Sequence, residues 1–362
     1  MMRRRGDVAQ EGDMGGDGQD ETIDFLRRAA FDGGDRSAQK TVTTHISVIV
    51  IGTDRAIKLK RAVRLPYVDF STPERRLVAC ERELELNRRT APSLYRCVRR
   101  VVRRPDGGLA LDGEGMLVDA VVEMARFDEE GLFDRRAIEG TLTNPLMTQL
   151  ARTVAAFHAG LSAVPGRGGA ASMAAVLDIN ERALSSNTVF PPDEVALFNR
   201  RFRAALADHA ALLDRRGDAG KIRRCHGDLH LRNICTVAGA PTLFDCLEFD
   251  EAMATIDILY DLAFLLMDLW HRGLEQPANL VLNRYLDDLD ESDGLPLLPF
   301  LMAVRAAVRA HVAATRAAEG SADAAGAADE ARAYFDLAKA LLAPRPPLVF
   351  AVGGLSGSGK ST

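Results

Sequence analysis

At 362 residues, with 47% hydrophobic and 27% charged side chains, the chain is long enough for two lobes or two domains around a sizeable core. Lys and Arg number 46 against 51 Asp and Glu, a formal charge of −5, which argues against a dedicated nucleic-acid binder with its strongly basic footprint. The opening MMRRRGDVAQEGDMGGDGQD has no apolar stretch behind its basic residues, and no run of about 18 apolar residues occurs, so neither a secretory signal nor a membrane span is expected. The five cysteines (Cys80, Cys97, Cys225, Cys235, Cys246) show no CxxC spacing and read as free thiols in a reducing, cytoplasmic setting.

Residues 1–20 are rich in Gly, Asp and Gln, bury too little apolar surface to offset ordering entropy, and are expected to be a disordered tail. From Thr43, HISVIVIGTDRAIKLK places Val and Ile on both sides of Gly52-Thr53-Asp54 and predicts a β-hairpin. Ser71-Thr72-Pro73-Glu74 then starts a helix that should run to about Arg89. Two further strands, LYRCVRRVVRR and LVDAVVEM, flank the turn Pro105-Asp106-Gly107-Gly108. Residues 21–125 therefore read as a small, mostly antiparallel sheet with one helix. After Phe127 the spacing turns helical: residues 145–161, 193–215, 256–270, 275–290 and 297–342, with GRGG at 166–169 as a loop and 319–328 as a second one.

The most informative stretch is Cys225-His226-Gly227-Asp228-Leu229-His230-Leu231-Arg232-Asn233-Ile234, followed by Phe244-Asp245-Cys246-Leu247-Glu248-Phe249-Asp250. Phosphoryl transfer depends on positioning and charge neutralisation. It needs one carboxylate to orient the attacking hydroxyl and take its proton, for which Asp228 is the candidate. It also needs hard oxygen donors for magnesium, for which Asn233 and Asp245 are the candidates. A zinc site at His226 and His230 lacks the HExxH order and a third ligand.

The segment resembles the HGDxHxxN motif of the aminoglycoside phosphotransferase-like superfamily, itself related to the H-R-D-x-x-x-x-N loop of protein kinases: His226, Gly227, Asp228, His230 and Asn233 all stand in place. The resemblance covers about residues 21–343, with specific motifs only between 225 and 261. It implies an α+β, bilobal protein-kinase-like fold, with N-lobe 21–125 and helical C-lobe 126–343. It also implies use of Mg-ATP, with His226 and His230 joining Asp228 at the catalytic centre. In IDILYDLAFL, the first aspartate, Asp257, would brace the catalytic loop, with Asp261 beside it. A strand lysine should meet the α/β-phosphates and pair with a helix glutamate. Ala56-Ile57-Lys58 supplies Lys58, with Lys60 on the same face as runner-up. Glu83 is the expected partner, with Glu81 and Glu85 as rivals. Val121-Val122-Glu123-Met124 resembles the hinge, where the backbone of Glu123 and Met124 would meet adenine. The first hairpin offers only Gly52 and no GxGxxG. Only a dozen residues separate Asp245 from Asp257, which favours a small-molecule acceptor over a protein kinase's substrate.

The last residues, Gly353 to Thr362, satisfy GxxxxGK[ST] from Gly354 to Ser361 after the apolar run 348–352 and the stiff linker at 343–347. Gly354 and Gly359 would let backbone N–H groups turn onto phosphate, Lys360 would reach its oxygens, and Ser361 with Thr362 would complete the Walker A end. Residues 344–362 are thus read as the start of a truncated α/β P-loop domain, in the order of bacterial proteins that join the two domains. Arg88, Arg89, Arg96, Arg99, Arg100, Arg103 and Arg104 read as a solvated sheet edge. Trp270 and Phe264 read as core; Glu248, Asp250 and Glu251 are either receptors for a cationic acceptor or solvated acids. The expected activity is ATP-dependent phosphorylation of a small-molecule hydroxyl, with no nucleic-acid or membrane partner. A non-catalytic regulatory lobe for the P-loop domain and a Ser/Thr protein kinase are the alternatives.

Overall fold

The computed structural model describes residues 18–30, 40–65, 68–166, 168–318 and 324–344. Most of the expected tail, all of the P-loop pattern including Gly354, Gly359, Lys360, Ser361 and Thr362, and residues 319–323 of the second expected loop lie outside them.

The first lobe is a sheet between two helices. Helix α1 (Asp20–Ala29) leads into β1 (Lys40–Thr43), β2 (Ser47–Ile51) and β3 (Arg55–Lys60), then the short pair β4 (Arg64–Leu65) and β5 (Val68–Asp69). Helix α2 (Pro73–Asn87) and strands β6 (Tyr95–Arg103), β7 (Leu109–Leu111) and β8 (Met116–Ala125) follow. Six strands pair antiparallel in the order β1-β2-β3-β8-β6-β7. The period-2 alternation of β3 sorts its side chains by face. Ile57 and Leu59 join Val48, Val50, Val101 and Val121 under Leu26 and Ala30 of the α1 segment. Ala56, Val98, Ala120, Val122 and Met124 lie on the other face with Cys80 of α2. The single-helix expectation for this lobe is therefore corrected: α1 covers the outer face. Gln19, expected in the disordered tail, is buried, and its amide donates to Lys60 O and Asp119 Oδ2 at 3.0 and 2.7 Å. Thr72 caps α2 as read, its side chain accepting from Arg75 N.

The second lobe is helical. It comprises α3 (Phe133–Ile138), α4 (Asn144–Ala159), α5 (Gly169–Ser185), α6 (Pro192–Asp218), α7 (Glu251–Ala254), α8 (Ile258–His271), α9 (Glu275–Asp288), α10 (Leu298–Ala318) and α11 (Ala324–Leu341). Between α6 and α8 lie the short strands β9 (Ile222–Arg224), β10 (Ile234–Val237), β11 (Ala240–Leu243) and β12 (Thr255–Asp257), paired β9 with β12 and β10 with β11. Helix α8 is buried along nearly its whole length and is the centre of the main core, with α10 against it. Residues 292–318 are long and apolar enough to cross a membrane by composition, yet most of that surface is buried inside the protein. Residues 324–328, expected in a loop, begin α11 instead; alanines there favour the helix. Trp270, expected in the core, is 36% exposed near the end of α8, whereas Phe264 is buried.

Candidate active site

The motif folds as two tight turns between β9 and β10, and one glycine makes the first possible. Gly227 has φ +84°, and a Cβ there would sit 2.9 Å from Ala254 Cβ and 3.0 Å from Leu247 Cβ. A 3-10 turn at Leu231–Asn233 then returns the chain to β10. Across this loop, Asn233 Nδ2 donates to Asp228 Oδ2 at 2.8 Å and to Asp228 O at 2.9 Å. His230 Nε2 stands 3.3 Å from the same Oδ2, its ring edge-on to Phe264. The Asp228 side chain keeps 41% of its surface open. Desolvation acts to raise its pKa, but His230 and then Arg309 and His226 outweigh it, leaving the carboxyl well below the usual range. His226 points inward: its Nε2 meets Phe244 O at 3.0 Å and its Nδ1 accepts from Asp228 N at 3.4 Å. It supports the loop, while the Asp228 side chain stays partly open to solvent.

The loop hangs from α8. Asp261, fully buried, accepts from the N–H groups of His226 at 3.1 Å and Gly227 at 2.9 Å. His158 Nε2 lies 3.1 Å from Asp261, and its Nδ1 lies 2.9 Å from the Tyr285 hydroxyl. Two turns along α8, Asp268 accepts from Leu231 N at 2.9 Å. From α10, Arg305 donates to Gly227 O at 3.2 Å. The bracing role expected of Asp257 thus belongs to Asp261. Asp257 caps α8 by accepting from Leu259 N, and it receives Arg216 through two bonds of 2.7 and 2.9 Å. Sequence reading missed Asp268, Arg305 and His158. A signal for the first existed: Asp261 and Asp268 are the two carboxylates of an otherwise apolar helix, seven residues apart and so on one face.

Asp245 follows β11 in the left-handed region, φ 61°, which aims its carboxylate at the first lobe. Its N–H donates to the Tyr95 hydroxyl at 3.2 Å, and Cys246 N donates to Asn87 Oδ1 at 2.8 Å. Lys58 Nζ sits between Asp245 Oδ1 at 2.5 Å and Glu83 Oε1 at 2.8 Å. Burial disfavours its charge, but Asp245 and Glu83 more than compensate and raise its pKa. Lys60 reaches Glu83 Oε2 at 2.5 Å and pairs with Glu248; it is fully buried, whereas Lys58 keeps a small opening. Geometry therefore separates the two lysines: Lys58 reaches Asp245 and stays slightly open, whereas Lys60 is sealed. Among the helix acids only Glu83 turns inward, since Glu81 and Glu85 are exposed and Glu85 pairs with Arg82.

Two further expectations are corrected. Glu123 and Met124 lie inside the ladder, opposite Ile57 and Ala56 on one side and Cys97 and Tyr95 on the other. Both backbone edges there face neighbouring strands, so a hinge offering free backbone groups must start beyond Ala125. The Glu123 side chain, on the outer face, lies among Arg55, Arg96 and Arg99. Of the acids left open between substrate receptor and solvated charge, Glu248 is buried against Lys60, whereas Glu251 is exposed and paired with Arg82 and Arg224. Asp250 caps α7. Of the arginine stretch, Arg88, Arg89, Arg96, Arg100 and Arg104 are exposed, in keeping with the solvated reading, while Arg103 pairs with Glu21 and Arg99 with Asp112.

This carboxylate, amide and lysine arrangement can orient a hydroxyl, hold a hard cation and neutralise phosphate. The comparisons agree on the fold. Over 88% of its length the chain is 30% identical to an uncharacterized protein of Mycobacterium bovis, of which it spans 63%. A choline kinase from Cryptosporidium parvum superposes with a TM-score of 0.52 at 10% identity, covering 89% of this chain and 96% of that one. An aminoglycoside phosphotransferase superposes with a TM-score of 0.51 at 14% identity, covering 88% and 98%. The model of the phosphotransferase enzyme family matches residues 52–295, a span holding Lys58, Glu83, the whole loop from Cys225 to Ile234 and Asp245, and the chain belongs to that family.

Proposed function

We propose that this chain transfers the γ-phosphate of Mg-ATP to a hydroxyl of a small molecule, with Asp228 as the base. The observations that support the reading are Asp228 held by Asn233 within the motif loop and Lys58 held between Glu83 of the first lobe and Asp245 of the second. The donors fit magnesium: Asp245 offers an open carboxylate, and Asn233, whose nitrogen is spent on Asp228, has its carbonyl oxygen left to offer. Bound magnesium would neutralise the phosphate charge, with Asn233 and Asp245 as its protein ligands. Lys58, freed from Asp245 by the cation, would pair with phosphate oxygens while Glu83 keeps it oriented. Asp228, ionised well below neutral pH, would align the acceptor hydroxyl and take its proton as the new O–P bond forms and the bond to the β-phosphate oxygen breaks. ADP and the phosphorylated alcohol leave, and Asp228 returns its proton to solvent. A second phosphate site at Gly354–Ser361, with Lys360 and Thr362, rests on its sequence pattern.

The test is Mg-ATP turnover against a panel of hydroxylated metabolites and aminoglycosides, beside Asp228→Asn. Acceptor-dependent ADP release should fall by about 10²–10⁴-fold in the variant, the usual weight of a positioned base. No turnover in either protein, with ATP bound equally by both, would sink the reading and favour a regulatory nucleotide-binding lobe.

A further inference from the structure

Resting on that reading, we propose that Arg305 of α10 is a positioning residue for the transfer. It fixes the peptide between Gly227 and Asp228 directly and the His230 ring through Phe264, and so sets where the Asp228 carboxylate stands. Arg305 interrupts the otherwise apolar, buried stretch 300–307 and is itself only 5% exposed. An apolar side chain at that position would avoid desolvating a guanidinium, so stability alone does not account for an arginine there.

Tyr260 and Phe264, one turn apart on α8, hold the guanidinium between them: its Cζ lies 3.8 Å from the first ring centroid and 4.7 Å from the second. Its Nε donates to Tyr260 O and its Nη1 to Gly227 O, both at 3.2 Å. Nη2 stands 3.9 Å from Asp261 Oδ1, an ion pair beyond hydrogen-bond distance. Gly227 O belongs to the peptide that carries Asp228 N, while Gly227 N donates to the same Asp261 at 2.9 Å. The glycine that makes the turn is thus held at both of its backbone polar groups. On the other side, the Phe264 ring lies edge-on to His230, centroids 5.1 Å apart, and His230 Nε2 stands 3.3 Å from Asp228 Oδ2. One guanidinium therefore reaches Asp228 by two routes, through the backbone of the turn and through the stack of Phe264 on His230. Lysine has neither the planar face nor the fixed fork of donors that the two routes need. A base serves only within hydrogen-bond reach of the acceptor hydroxyl, so loosening either route should slow the transfer step.

The full chain is compared with Arg305→Lys, Arg305→Gln and Phe264→Leu by steady-state transfer to the acceptor that the panel identifies, by affinity for a non-hydrolysable ATP analogue, by urea unfolding, and by amide hydrogen exchange over residues 225–234. Both Arg305 variants should lower kcat by about 10²-fold, the usual cost of misplacing a reacting group by about 1 Å. The KM for Mg-ATP and the affinity for the analogue should not change, and exchange at the amides of His226 and Gly227 should quicken. Phe264→Leu keeps the bond to Gly227 O and removes only the ring, so it should lower kcat by less and leave exchange at Gly227 as it was. An unchanged kcat in Arg305→Lys overturns the proposal, and so does a fall in kcat matched by an equal loss of nucleotide affinity, the mark of a merely structural residue. Should neither Arg305 variant fold, an unchanged kcat in Phe264→Leu overturns it instead, and a lowered one with analogue affinity intact supports it. If the parent transfers phosphate to no acceptor, the phosphotransfer reading fails. Quickened exchange in the Arg305 variants would then keep Arg305 as the holder of the turn, and unchanged exchange would remove that as well.

Discussion

Glu83 shows how much one side chain can organise. Its two oxygens take Lys58 and Lys60 at 2.8 and 2.5 Å in a fully buried site. Burial alone would raise its pKa, but the two lysines outweigh that and bring it from 4.5 to about 2. A carboxyl with a depressed folded pKa contributes stability that is whole above 4.5 and is lost as pH falls toward 2. Glu83→Gln should therefore flatten the acid limb of unfolding free energy below pH 4.5, and at pH 7 it should cost about 3–5 kcal/mol, as a broken buried pair does. Urea titrations from pH 2 to 7 measure both, and an unchanged acid limb would contradict the pairing. The motif residues at this scale were legible because each is fixed by its own chemistry and spacing. Glu83 was named ahead of Glu81 and Glu85, and the face of α2 that meets the sheet bears that choice out.

At the scale of elements, α2 explains why pattern reading ran short. Its buried positions Arg76, Cys80, Glu83 and Asn87 form one helical stripe that is mostly polar, each member answered by a distant partner such as Asp119 or Cys246 N. Apolar periodicity cannot reveal a face of that kind. Arg216 plays a similar part at the end of α6. Fully buried, it binds Asp257 through two bonds, Glu291 at 2.7 Å and Asp293 at 2.9 Å, and so ties α6 to the start of α8 and the segment before α10. Arg216→Ala should destabilise by about 3–5 kcal/mol, because it strands buried carboxylates. Arg216→Lys should recover little, since lysine cannot reproduce the two-bond fork. Chemical denaturation reads both; a loss under about 1 kcal/mol, the range of an exposed pair, would mean that solvent already screens these groups.

Across the whole molecule, the lobes meet through polar contacts as well as through an apolar cluster in which Cys235, Val237 and Phe244 of the second lobe join Ala120, Val122 and Met124 of the first. Lys58 with Asp245, Lys60 with Glu248, Arg82 with Glu251, and the Asn87 and Tyr95 side chains with the backbone after β11 all cross between them. Lys60 and Glu248 test this directly. Lys60→Met leaves Glu248 buried beside Glu83 and should cost about 3–5 kcal/mol, while adding Glu248→Gln should restore part of that loss. The double-mutant cycle, run on unfolding and on ATP affinity, should show coupling in both. Additive losses would mean the pair does not hold the lobes in register.

By itself the sequence determined the hairpin carrying Lys58, the helix after Thr72, several helices of the second lobe, and the loop carrying Asp228 and Asn233, while α1, α5 and the short strands β9 to β12 went unread. The legible features rest on local periodicity, turn chemistry and short spacing, which need no knowledge of distant residues. Only the tertiary structure decided that α1 covers the sheet, that Asp261 rather than Asp257 holds the turn at His226 and Gly227, that Glu123 and Met124 are locked in the ladder, and that Lys60 is sealed while Lys58 keeps a small opening. Each of these depends on which face of an element meets a partner far away in the chain. That is settled by burial and by the pairing of buried charge, not by neighbours in sequence.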